Sequence, residues 1–165
     1  MKFEIRCATP EDVEAIAAAH LDSIRTIGAL HYSPEVVTAW GARVKGDLYL
    51  NAMARGEVFF VAIGESGDGH VLGFSSHKHV DGEHRTAVYV RAAAVRRGIG
   101  SALFRSAEAA AIAAGATSLY VDASLAAVDF YEANGFQEIG RGEFRIASDR
   151  RMACVFMRKT LTATS

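Results

Sequence analysis

The sequence predicts a single α/β domain built around one central mixed sheet. Three observations carry this. The chain has 165 residues, about one domain at ~100–200 residues each. Its apolar pattern switches between a period of two and a period near 3.6 in the order β-α-α-β-β-β-α-β-α-β-β, interleaving strands with helices. It holds 30 alanines and only two prolines, a balance that favours long helices.

Residues 2–7 alternate apolar and polar and read as the first strand. Thr9-Pro10-Glu11-Asp12 is a helix start. Thr9 caps, Pro10 suits the first helical position, and Asp12 sits where a capping box places its acid. Val13, Ile16, Ala17, Leu21 and Ile24 follow at helical spacing. Ser33-Pro34-Glu35 marks a second start, and Asp47 to Arg55 adds a short helix. Val58 to Ile63 is a β-type run, Gly64 to Gly69 carries turn residues, and Val71 to His77 is the second arm of a hairpin. Asp81-Gly82 signals another turn before a short strand, Arg85 to Val90. Gly98 to Ala114 is a long helix stopped by Gly115. Leu119-Tyr120-Val121 is a buried strand, and Ala126 to Asn134 a helix ending at Asn134-Gly135. Phe136 to Ile146 and Met152 to Lys159 form a last strand pair. The expected organisation is one domain over 1–160 with a short tail over 161–165.

Half the residues are hydrophobic and 22% are charged, as in a globular domain with a filled core. A net charge of −1 argues against a nucleic-acid binder, which carries a basic excess. Charges interrupt every short apolar run at the N-terminus, so no signal peptide is read there. No run reaches the ~18 apolar residues of a membrane helix. The expected location is the cytoplasm. Cys7 and Cys154 lie in strand-like surroundings and are expected as buried structural thiols.

Chemistry concentrates after Val88-Tyr89-Val90. A strand runs into Arg96-Arg97-Gly98-Ile99-Gly100-Ser101, where glycines open a helix. A helix start presents unpaired N–H groups and partial positive charge, both suited to phosphate. Arg96, Arg97 and a folded-back Arg91 would add charge. The same residues also read as a plain turn with solvated arginines, and this fragment alone leaves both readings open. A P-loop is absent. A dinucleotide fingerprint fails because Leu103 stands where its third glycine belongs.

A second fragment runs from Ser124 to Phe136 and reads Ser-Leu-Ala-Ala-Val-Asp-Phe-Tyr-Glu-Ala-Asn-Gly-Phe. Together the two fragments resemble the GNAT superfamily of N-acetyltransferases. The first is similar to its pyrophosphate motif R/Q-x-x-G-x-G/A, and the second to its S/N-x-x-A-x-x-F-Y-x-x-x-G-F signature. The element order resembles that of the family over nearly the whole chain. One departure stands out: the R/Q falls on Val95, and the glycine usual after it falls on Arg96.

The resemblance implies a GNAT-like fold, with a mostly antiparallel sheet in which two parallel strands, 85–90 and 118–123, splay apart to hold acetyl-CoA. A bulge near Val90 would free backbone groups for the pantetheine arm. The implied cofactor-binding set is Val88, Val90, Arg96, Arg97, Gly98, Ile99, Gly100 and Ser101, with the N–H near Val90 polarising the thioester carbonyl. Tyr131 matches the tyrosine that protonates the leaving thiolate; otherwise Phe130 and Tyr131 are both core aromatics. Ser124 is expected as a helix cap. In the histone-acetylating branch a glutamate acts as base; its position falls on His84, beside Glu83. Those two also read as a solvated pair in a turn, with a water chain serving as base instead. The implied reaction is acetyl transfer from acetyl-CoA to a primary amine, small or on a peptide or protein. The alternative is a CoA-sensing module without turnover. No metal, nucleic-acid or membrane partner is expected, although His77 and His79 share a strand face. A homodimer through the last strands is plausible. Asp22, Arg25, His31, Tyr32, Trp40, Arg141, Glu143 and Arg145 are candidates for shaping an acceptor pocket, with Tyr32 and Trp40 equally suited to helix packing.

Overall fold

The computed structural model describes residues 2–65 and 70–162. Most of the turn expected over 64–69, and the end of the tail expected over 161–165, lie outside the described residues. Seven strands form one sheet: β1 (Phe3–Cys7), β2 (Val58–Gly64), β3 (Val71–Val80), β4 (Glu83–Val90), β5 (Ser118–Ser124), β6 (Gln137–Ala147) and β7 (Arg150–Thr160). Their spatial order is β1-β2-β3-β4-β5-β7-β6. Every neighbouring pair is antiparallel except β4 with β5. This is the mixed sheet expected from the alternating pattern.

Among the described residues, five α-helices cover the two faces: α1 (Val13–Thr26), α2 (Pro34–Ala42), α3 (Gly46–Ala54), α4 (Ile99–Ala113) and α5 (Val128–Ala133). Three of them precede β2, the third being the short helix read from Asp47. The capping box forms, with Thr9 N–H donating to Asp12 Oδ2 at 2.8 Å. Arg6 clamps the same carboxylate in bidentate fashion. Ser33 Oγ accepts from Val36 N–H and starts α2. Ser124 does not cap α5: Ala127 holds that place, and Ser124 contributes only its carbonyl to the turn.

Strand alternation divides the core into two layers. Val88, Leu103, Leu119 and Tyr131 pack between the sheet and α4–α5. Trp40, Tyr49, Phe59 and Phe74, with Tyr89 against them, pack between the sheet and α1–α3. Gly73 lets β4 lie close, since a Cβ there would stand 2.7 Å from the Tyr89 carbonyl. Cys154 is buried, but Cys7 is exposed, because the edge strand β1 turns it to solvent. Both are free thiols. No helix among the described residues is long and apolar enough to cross a membrane.

Candidate active site

β4 and β5 are joined by a single register pair, Arg85 with Tyr120. Beyond it, toward Val90 and Ser124, the two strands part and leave a seam in the sheet. Arg85 closes its narrow end: the guanidinium contacts Asp122 of β5 at 2.7 Å and Glu83 at 2.9 Å. The expected bulge near Val90 is absent. β4 pairs with β3 one for one from Glu83–Val80 to Val90–Gly73. Free backbone groups arise without it. Arg91 N–H bonds Leu72 C=O on β3, so peptide alternation turns the Val88 and Val90 N–H groups toward the seam.

Tyr131 stands in that seam. Its hydroxyl accepts from Val88 N–H at 3.0 Å, which leaves the phenolic proton for another acceptor. Burial, then the nearby Tyr89, push its pKa well above the ordinary phenol value, opposed by the Val88 N–H. The group is therefore a neutral donor across the physiological range.

The loop after β4 turns through left-handed backbone at Arg96 (φ 63°) and Gly98 (φ 79°). Glycine takes this conformation freely, while a side chain costs about 1–2 kcal/mol. The departure noted at Arg96 thus carries strain. Gly98 caps α4 without a side chain, so the N–H groups of Ile99, Gly100 and Ser101 open outward. Ala102 N–H is the first to bond within the helix, to Gly98 C=O at 3.0 Å. Arg96 and Arg97 are exposed beside it. Arg91 does not join them: its Nε donates to Val71 C=O at 2.7 Å. Gly100 serves packing, since a Cβ there would stand 2.9 Å from the Phe130 ring.

The two base candidates stand elsewhere. His84 lies on the α4 face, its Nδ1 2.9 Å from His77 Nε2 and its ring stacked on His79 at 4.0 Å. Burial and the neighbouring histidine His79 lower its pKa. Glu83 is held by Arg85 beside a shallow recess with Tyr120 and Phe156. No group of three or more His, Cys, Asp or Glu among the described residues is arranged to hold a metal ion.

A cavity of about 180 Å³ opens from the seam toward α2 and the β6–β7 hairpin. Trp40, Tyr89, Phe144 and Met152 form its apolar wall, and Cys154 borders it. Glu57, Lys78, Arg85 and Asp122 supply its charges. Burial raises Tyr89 to about 12, reinforced by Tyr32 and opposed by Arg43. Burial also raises the Cys154 thiol, reinforced by Asp122 and Glu143, so this sulfur stays protonated.

Three residues hold the site in ways the sequence did not reveal. Asp22 Oδ2 accepts from Ala92 N–H at 2.9 Å, tying α1 to the loop before α4. Tyr32 hydroxyl donates to Ala153 C=O at 2.6 Å and accepts from Leu125 N–H at 2.8 Å. Asn134 Nδ2 donates to Phe130 C=O and reaches Ser101 Oγ, joining α5 to the start of α4. The first two partners lie far away in sequence, and only the Asn-Gly helix end hinted at the third.

Residues 55–138 match the family model described as an acetyltransferase (GNAT) domain. The chain is 27% identical over 139 residues to a protein of Escherichia coli (strain K12) described as the uncharacterized N-acetyltransferase YafP, covering 83% of each. It superposes with a TM-score of 0.85 and 29% identity on a GCN5-related N-acetyltransferase from Rhodopseudomonas palustris, covering 98% of this chain and 97% of that one. PaiA N-acetyltransferase from Thermoplasma acidophilum, solved with coenzyme A, shares the fold at TM-score 0.78 and 22% identity over 98% of this chain and all of its own.

Proposed function

The chain belongs to the GNAT acetyltransferases, and from that premise we propose that it moves an acetyl group from acetyl-CoA to a primary amine by direct attack. The observation that carries this reading is the Tyr131 hydroxyl, bonded to Val88 N–H inside the β4–β5 seam. The pantetheine arm fits the seam as an added strand. The pyrophosphate fits the N–H groups of Gly98, Ile99, Gly100 and Ser101, with Arg96 and Arg97 alongside. No side chain caps those groups, and around Gly98 a Cβ would meet open space.

In this geometry the thioester carbonyl lies against Val90 N–H, a fixed donor for the developing oxyanion. The amine nitrogen bonds to the acetyl carbon, the carbon–sulfur bond breaks, and sulfur leaves with its electron pair. Tyr131 gives its phenolic proton to that sulfur. At pH 7 only about one amine in 2,500 is neutral, a deficit of ~4–5 kcal/mol. His84 and Glu83 both stand away from the cavity wall, and this reading gives the nitrogen's proton to water.

Tyr131→Phe should lower kcat by ~10²-fold or more, the scale of one general acid, with the KM for acetyl-CoA little changed. Unchanged turnover across pH would remove the acid role. Neither His84 nor Glu83 lines the cavity, which favours a second reading, a CoA-binding module without turnover. Steady thiol release with any primary amine excludes it.

A further inference from the structure

The cavity wall carries four charged side chains, and two already have partners. Arg85 holds both Asp122 and Glu83. Glu57 and Lys78 remain. Val58 and His77 are the last pair of the β2–β3 ladder; Glu57, one residue before it, and Lys78, one residue after it, leave that end together, and both line the cavity with Tyr89. Such cross-strand neighbours ordinarily pair. Here neither forms an ion pair or side-chain hydrogen bond with a described residue. One unmatched anion and one unmatched cation thus sit side by side on the wall.

Their distance from the chemistry is set by the strands. Val88, which holds Tyr131, pairs with Ser75, and Lys78 lies three residues further along β3. That is about 10 Å at the rise of an extended strand. Trp40 and Tyr89 line the cavity together with both ends. A ligand fitting this wall has a zwitterionic head, an apolar stem and a terminal amine. Five single bonds, from an α-carbon across four methylenes to a terminal nitrogen, span about 6 Å. The lengths of the Glu57 and Lys78 side chains cover the remainder.

We infer that the acceptor is a free α,ω-diamino carboxylic acid acetylated on its terminal amine. Its carboxylate meets Lys78 Nζ, its α-ammonium meets the Glu57 carboxylate, and its methylene stem lies along Trp40 and Tyr89. The inference rests on the acetyl-transfer reading above.

The test measures thiol release from acetyl-CoA with L-lysine, 1,5-diaminopentane and 6-aminohexanoate, using the wild type, Glu57→Gln and Lys78→Gln. The two analogues lack the carboxylate and the α-ammonium respectively. Lysine should exceed each in kcat/KM by about tenfold, the scale of one charge-assisted contact, with the acetyl group found on its terminal nitrogen. Lys78→Gln should close the gap to the diamine only, and Glu57→Gln the gap to the amino acid only. Equal kcat/KM for all three acceptors, or variants that slow all three alike, would overturn this assignment while leaving acetyl transfer standing. Absence of thiol release with every amine would overturn the transfer reading itself, and this inference with it.

Discussion

The hydrogen bond between Tyr131 and Val88 N–H has a structural as well as a chemical weight. Removing the hydroxyl leaves a buried N–H without a partner, a loss of about 1–3 kcal/mol, so Tyr131→Phe should melt earlier as well as turn over more slowly. His20 makes a different prediction at the same scale. It is packed among Trp40, Phe74 and Tyr89, and its Nδ1 lies 2.6 Å from Tyr49 hydroxyl. Burial, then Arg43, lower its pKa to about 3. The unfolded chain takes up this proton below about pH 6.5, while the folded chain refuses it. The stability is therefore whole above pH 6.5 and drains away toward pH 3. At pH 5 the loss from His20 is about 2 kcal/mol, or roughly 4–8 °C for a chain of this size. Thermal melts at pH 7 and pH 5 should show that drop, and His20→Gln should remove much of it. An unchanged slope in the variant would reject His20 as its source. His77 is also lowered, by burial and then His84, and acts in the same direction.

At the level of elements, two glycines two residues apart do unlike jobs. Gly98 supplies the left-handed turn that opens α4, and Gly100 makes room for the Phe130 ring. Gly100→Ala should cost about 1–3 kcal/mol, the scale of an overpacked contact, and Phe130→Leu in the same chain should restore part of it. No recovery in the double variant would place the strain elsewhere. The order of elements was legible because its signals are local: Thr9 to Asp12, Ser33-Pro34, the Asp81-Gly82 turn and the glycines before α4 each act within a few residues. The left-handed loop before α4 and the helix that carries Tyr131 were legible for the same reason. The links made by Asp22 and Tyr32 were not, since their partners are 70 and 93 or more residues away. The placement of His84 depended on which face of β4 turns inward, and the alternation that puts Tyr89 toward α1 puts His84 toward α4.

The whole molecule is organised by its seam. β1 to β4 come from the first 90 residues and β5 to β7 from residue 118 onward, and one register pair joins the two groups. A ligand in the seam adds to the stability of the folded chain alone. CoA at 100 times its dissociation constant should contribute about 2.7 kcal/mol, a rise of roughly 5–10 °C, and no rise would count against any CoA-binding reading. The seam also follows the chain's own order, because each of its walls is built from one contiguous stretch of sequence. Neither stretch alone encloses anything. The site is a joint between two stretches of chain that Tyr32, Tyr131, Asn134 and the shared core already hold together, and a ligand seated in it would touch both and tighten that joint.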